Sequence, residues 1–133
     1  MANALYPKWK EAIIQASANS SLTGTVKAAL VDTGTYTYSA AHEFLTSLTG
    51  VVGTAQTIGA TKTYANGVFD GADVTFTVLS GNTAEAIVLY IDTGTAGTSR
   101  LVAYLDTGVT NLPVTPNGGD VIIQWNASGI FAL

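Results

Sequence analysis

The chain has 133 residues, of which 47 % are hydrophobic and only 11 % charged, and it carries a net charge of −4 with five Lys and Arg in total. So few basic side chains cannot neutralise a phosphate backbone, which sets nucleic-acid binding aside, and the absence of cysteine removes disulfides, thiolate chemistry and cysteine-based zinc sites. The length suits one domain with a single core.

In chain order, MANALYPKWK lacks the apolar stretch of a secretory leader, so synthesis and folding in the cytoplasm are expected. No run approaches the roughly 20 apolar residues of a membrane span. Residues 7–17 predict a short helix. Pro7 fits a first turn, and Trp9, Ala12, Ile13 and Ala16 recur at helical spacing. Residues 18–24, ANSSLTG, read as a linker.

From residue 25 the pattern changes to strands, in keeping with 20 threonines that suit a pleated, half-buried surface. TVKAALVD (25–32) is the first strand. SAAHEFLTSL (39–48) predicts one or two helical turns, with Ser39 as N-cap. VVGTAQTI (51–58) and TKTYA (61–65) precede the turn dipeptides Asn66-Gly67 and Asp70-Gly71. In DVTFTVL (73–79), Val74, Phe76 and Val78 alternate with Asp73, Thr75 and Thr77, predicting one buried face. EAIVLYID (85–92) and RLVAYLD (100–106) are apolar on both faces, so they are expected at the centre of a sheet. DVIIQW (120–125) and GIFAL (129–133) close the chain. About eight strands with frequent turn signals predict an all-β fold: a two-sheet sandwich, jelly-roll-like, with a short N-terminal helix. The expected organisation is a single β domain over 1–133, with a helical segment at 1–18 and the sandwich at 25–133.

Asp-Thr-Gly after an apolar strand is also the signature of aspartic proteases, which place two such aspartates side by side to activate water. Here it occurs three times, at Asp32-Thr33-Gly34, Asp92-Thr93-Gly94 and Asp106-Thr107-Gly108. Three copies in one small domain fit a reused strand-end turn. Asp accepts backbone N–H bonds one or two residues on, and Gly supplies the left-handed conformation. The second protease signature, an apolar pair before Gly late in the chain, is missing: the nearest match, Val51-Val52-Gly53, lies close behind Asp32. No catalytic residue is assigned.

His42 is the only histidine, and no Gly-x-Ser-x-Gly elbow accompanies it. The carboxylates of FDGAD (69–73) and NGGD (117–120) are the candidates for a calcium site, but no EF-hand spacing is present and turn formation explains them. Asn19-Ser20-Ser21 and Asn126-Ala127-Ser128 match glycosylation acceptors, which have no use without a secretory leader. Trp9, Trp125 and six tyrosines suggest a sugar platform, although most fall on core positions. Neither a cofactor nor a metal is expected.

The segments MANALYPKWKEA, VKAALVDTGTYTYSAAHEFLTSL, NGVFDGADVTFTVLSGNTAEAIVLYIDTGTAGTSRLVAYLDTG and LPVTPNGGDVIIQWNASGIFAL cover nearly the whole chain. In this order they resemble a family of small tailed-phage virion structural, or head-associated, proteins. Tyr36, His42 and Phe44 carry the likeness in the first half, and Pro113, Pro116, Gly118, Gly119, Trp125 and Phe131 in the closing block. The resemblance implies a capsid decoration or cement protein on the outer surface of the virion, made in the host cytoplasm. Its expected partners are the major capsid protein and copies of itself, as a dimer or trimer, with no nucleic acid and no membrane. The alternatives are a tail or neck subunit, or a virion-displayed module binding host glycans. The expected contact residues are Leu5, Tyr6 and Trp9 near the start and Ile130, Phe131 and Leu133 at the end.

Overall fold

The strongest strand-formers sit at the middle of the molecule. In a computed structural model, which describes residues 3–59 and 61–133, they form a five-stranded antiparallel sheet of order β1-β7-β6-β2-β3. Its strands are β1 (Ala4–Leu5), β2 (Val26–Val31), β3 (Val51–Thr57), β6 (Ala86–Ile91) and β7 (Leu101–Leu105). Met1 and Ala2 of the expected N-terminal segment lie outside the described residues. Every residue of β6 and β7 is buried, as their two-sided apolarity predicts. Each Val, Ile or Leu so buried contributes about 1.5–3 kcal/mol.

Both faces of this sheet are covered. Tyr104 of β7 points to the side where Tyr36 and Tyr38 pack, with ring centroids 6.5 and 5.7 Å away. Its neighbour Leu105 lies on the opposite face, against a cavity shared with Trp125 and Ile130. The second layer consists of two short antiparallel ladders. One joins β5 (Val74–Phe76) to β8 (Val121–Ile123), and the other joins β4 (Val68–Phe69) to β9 (Phe131–Ala132). The chain is therefore all-β with one short helix, in two layers and without barrel closure.

The β2–β6 register runs unbroken from Val26 opposite Ile91 to Val31 opposite Ala86. The β2–β3 register shifts between Ala28 and Leu30, where β3 carries Gly53 at φ +72°. The bulge and the two-residue length of β1 blunt both edges of the main sheet against pairing with another chain.

Helix α1 (Pro7–Ile14) starts with proline and buries Trp9 and Ala12. It ends three residues before the predicted limit, because Ala16 takes a left-handed φ of 52° and Ser17 N–H donates to Ala12 O across the last turn. The eight-residue α1 is the longest helix among the described residues, and no helix there is long and apolar enough to cross a membrane.

Two local expectations need correction. The helical reading of 39–48 reduces to one 3-10 turn at Leu45–Ser47. Phe44 bridges Arg100 in strand fashion, Leu101 N–H donates to Glu43 O and Leu45 N–H to Ser99 O, so the segment spends its backbone on β7. Val78 does not share the inward face of Val74 and Phe76. The strand stops at Phe76, Val78 turns outward at φ 47° with 73 % exposure, and Leu79 fills the core position.

Candidate functional site

The three Asp-Thr-Gly turns fall at opposite ends of the main sheet. β2 and β7 run in the same direction with β6 antiparallel between them, so Asp32 and Asp106 follow strands at one end and Asp92 follows β6 at the other. With β6 intervening, the ends of β2 and β7 stand about 10 Å apart.

The first two turns close by their own hydrogen bonds. Asp32 Oδ1 accepts from Gly34 N–H at 2.8 Å and Oδ2 from Asn82 Nδ2 at 3.1 Å. Asp92 Oδ1 accepts from Gly94 N–H at 3.1 Å, and Oδ2 lies 3.3 Å from Lys27 Nζ. The Gly94 amide chiefly, helped by Lys27, holds the Asp92 carboxyl below its ordinary range. The third turn is closed from outside: Asn3 Oδ1 accepts from the N–H groups of Asp106 and Thr107, and Asn3 Nδ2 donates to Thr107 O. Left-handed glycine is used at Gly94 and Gly108 but not at Gly34, so one tripeptide makes turns of more than one shape. The Asp32 and Asp92 carboxylates act here as acceptors for the backbone.

The other acidic candidates are engaged in the same way. Asp70 accepts from Gly71 N–H, Asp73 from Trp125 N–H at 3.0 Å, and Asp120 from Val78 N–H at 2.9 Å. No group of three or more His, Asp or Glu side chains placed to hold a metal occurs among the described residues. His42 Nδ1 pairs with the Tyr36 hydroxyl at 2.8 Å, which meets the Tyr6 hydroxyl at 2.7 Å. Burial, together with the Tyr36 hydrogen bond, drives the Tyr6 hydroxyl far above its ordinary pKa, so this chain of groups is a buried brace.

The six expected contact residues divide. Tyr6, Trp9 and Ile130 are buried in the chain's own core, Leu5 and Phe131 are half-buried, and Leu133 is 67 % exposed. Trp9 donates its indole N–H to Ser20 O at 2.9 Å and meets Phe131 edge-on at 5.7 Å. Thus the two ends of the chain do converge, through α1 and β9. Between them runs an apolar groove of about 480 Å³ lined by Trp9, Ile13, Leu22, Tyr64, Phe131 and Leu133, among others. Tyr64 at 47 % and Leu133 line it as exposed groups, and Ile14, at 84 %, follows Ile13 along α1. Sequence reading found Trp9, Phe131 and Leu133 but missed Leu22 and Tyr64. Leu22 lies in the linker at 18–24 and Tyr64 in the short segment at 61–65, and neither spacing marks a shared surface.

Neither the protein-family models nor the curated proteins compared with this chain give a significant match.

Proposed function

We propose that this protein is a phage virion structural component, a capsid decoration or cement protein that binds the outside of the head and bridges neighbouring copies of the major capsid protein. Its action is mechanical rather than catalytic. The single observation that carries the reading, beside the block-by-block resemblance, is the apolar groove where the ends of the chain meet, with Tyr64 and Leu133 left accessible on its walls. Exposed apolar surface rimmed by polar groups, here Ser20, Ser21 and Thr23, supports a docking role. The occupant in this reading is a capsid subunit. A specific contact of that type buries about 1,200–2,000 Å², and repetition over a lattice multiplies weak single contacts.

The test is sedimentation of purified chain with heads assembled without it. Wild type co-sediments with the heads and raises the temperature at which they rupture. Leu133→Asp folds normally, since the side chain is already in solvent, yet weakens attachment by about tenfold or more, as expected for an anchor residue. Absence of head binding by wild type, or attachment to tails alone, refutes the proposal.

A further inference from the structure

The chain contains two Asn-Gly dipeptides, Asn66-Gly67 and Asn117-Gly118. Asparagine is a thermolabile side chain, and it reacts most readily before glycine, where no Cβ shields the next amide nitrogen from its carboxamide. All four residues are exposed, so solvent access does not distinguish the two pairs.

Their hydrogen bonds do. Gly118 N–H, the nitrogen that would react with Asn117, donates to Leu79 O at 2.7 Å, and Leu79 N–H donates to Gly119 O at 2.9 Å. Asn117 Oδ1 itself accepts from Gly119 N–H at 2.9 Å. Leu79 is a core residue, so this turn is tied to the interior. The other pair forms a surface turn of type I′, with Asn66 at φ 56° and ψ 30° and Gly67 at φ 76°. Val68 N–H donates to Ala65 O across it, and Leu133 N–H donates to Gly67 O at 2.9 Å. The Asn66 carboxamide takes part in no hydrogen bond among the described residues. Rotating Asn66 into the geometry of attack disturbs only surface bonds. The same rotation at Asn117 pulls two glycines away from Leu79.

We infer that Asn66 is a site of spontaneous modification, converting through a cyclic succinimide to aspartate and isoaspartate, while the fold preserves Asn117. The Gly67 nitrogen, deprotonated by hydroxide, attacks Asn66 Cγ. The N–Cγ bond forms, the Cγ–Nδ2 bond breaks, and ammonia leaves with a proton taken from water. A second water opens the ring. Addition at Cγ gives aspartate, and addition at the main-chain carbonyl gives isoaspartate, which carries one extra methylene in the backbone between residues 66 and 67. Nothing is oxidised or reduced. The added methylene displaces Gly67 O, the acceptor for Leu133 N–H, and so loosens the end of β9. Conversion also sets a carboxylate next to Gly67, which lines the apolar groove, where no charged side chain stands among the described residues.

The full chain is aged in mildly alkaline buffer, either folded or in guanidinium chloride. It is then digested and mapped by mass spectrometry, with isoaspartate marked by enzymatic methylation. In the folded chain Asn66 is expected to convert about tenfold or more faster than Asn117, whose turn must first break its bonds to Leu79. In denaturant the two convert at similar rates, since each precedes glycine. In the isoaspartate-bearing fraction the Leu133 amide exchanges with solvent about threefold to tenfold faster than in fresh protein. Asn66→Gly keeps the left-handed turn, so it folds, forms no isoaspartate at this position and holds its Leu133 exchange steady on ageing. Conversion of Asn117 as fast as Asn66 in the folded chain overturns the inference. So does an Asn66 that stays intact when folded, or a Leu133 exchange that rises equally in aged Asn66→Gly. Because every measurement uses the isolated chain, the result is independent of the virion role.

Discussion

Gly53 shows how much one residue can fix. It sits at φ +72° in the bulge of β3, and a Cβ built there would lie 2.5 Å from Leu79 Cδ1. Both the backbone conformation and the contact exclude a side chain. Leu79 is itself in the core because the chain turned outward at Val78, so the two irregularities support each other. Gly53→Ala is expected to destabilise the fold by about 1–3 kcal/mol, the cost of a strained backbone position. Urea unfolding would register this as a lower midpoint at unchanged slope. An unaltered midpoint would mean that the bulge relaxes freely. The Asp-Thr-Gly turns teach the complementary lesson: a tripeptide with a catalytic reputation here supplies backbone acceptors, and Asn3 closes the third copy from a distant part of the chain.

At the scale of elements, α1 and the turn at 45–47 were given similar apolar spacing by the sequence and met different fates. α1 keeps its helix because Pro7 starts it and Trp9 docks into a site made by Phe131 and Ser20. Residues 43–45 gave up theirs because β7 offered backbone partners, reinforced by Arg100 Nη1 donating to Glu43 Oε2 at 2.8 Å and its guanidinium lying 5.0 Å from the Phe44 ring centre. Tertiary pairing outweighs helix propensity, which amounts to only tenths of a kcal/mol per residue. Trp9→Ala should therefore cost about 3–5 kcal/mol, the range for truncating a buried aromatic. Calorimetry would detect it as a large fall in melting temperature, and a small fall would mean that α1 is merely appended to the sheet. In contrast to Leu133, Trp9 thus cannot be used to probe a surface role without perturbing the fold.

For the molecule as a whole, the sheet joins segments far apart in sequence. β1 at Ala4–Leu5 pairs with β7 at Leu101–Leu105, and β2 pairs with β6 about 60 residues on. Loops of that length must close before the contacts that reward closure can form. The main folding phase is accordingly expected in the range of about milliseconds to seconds rather than microseconds. Stopped-flow tryptophan fluorescence measures it directly, since Trp9 and Trp125 both become buried. A microsecond phase carrying the full amplitude would contradict this topology-limited picture. The same arrangement leaves the main sheet with one bulged and one very short edge, which disfavours pairing of another strand onto either.

How much of this was legible beforehand depends on the range of the physics involved. Strand identity, the helix at Pro7 and the central place of EAIVLYID and RLVAYLD follow from local chemistry, because solvent exclusion acts on each residue according to its own side chain and spacing. Apolar character likewise marked Trp9, Phe131 and Leu133 near the two ends. Which residues meet is a different matter. That Leu22 and Tyr64 complete the groove, or that Leu79 ties down one Asn-Gly turn and not the other, depends on strand order and on where the loops come back, and no local pattern encodes either. The sequence by itself determined the kinds of element and the material of the core. Only the tertiary structure decided their neighbours, because pairing is selected by the free energy of the assembled sheet and not by any one strand.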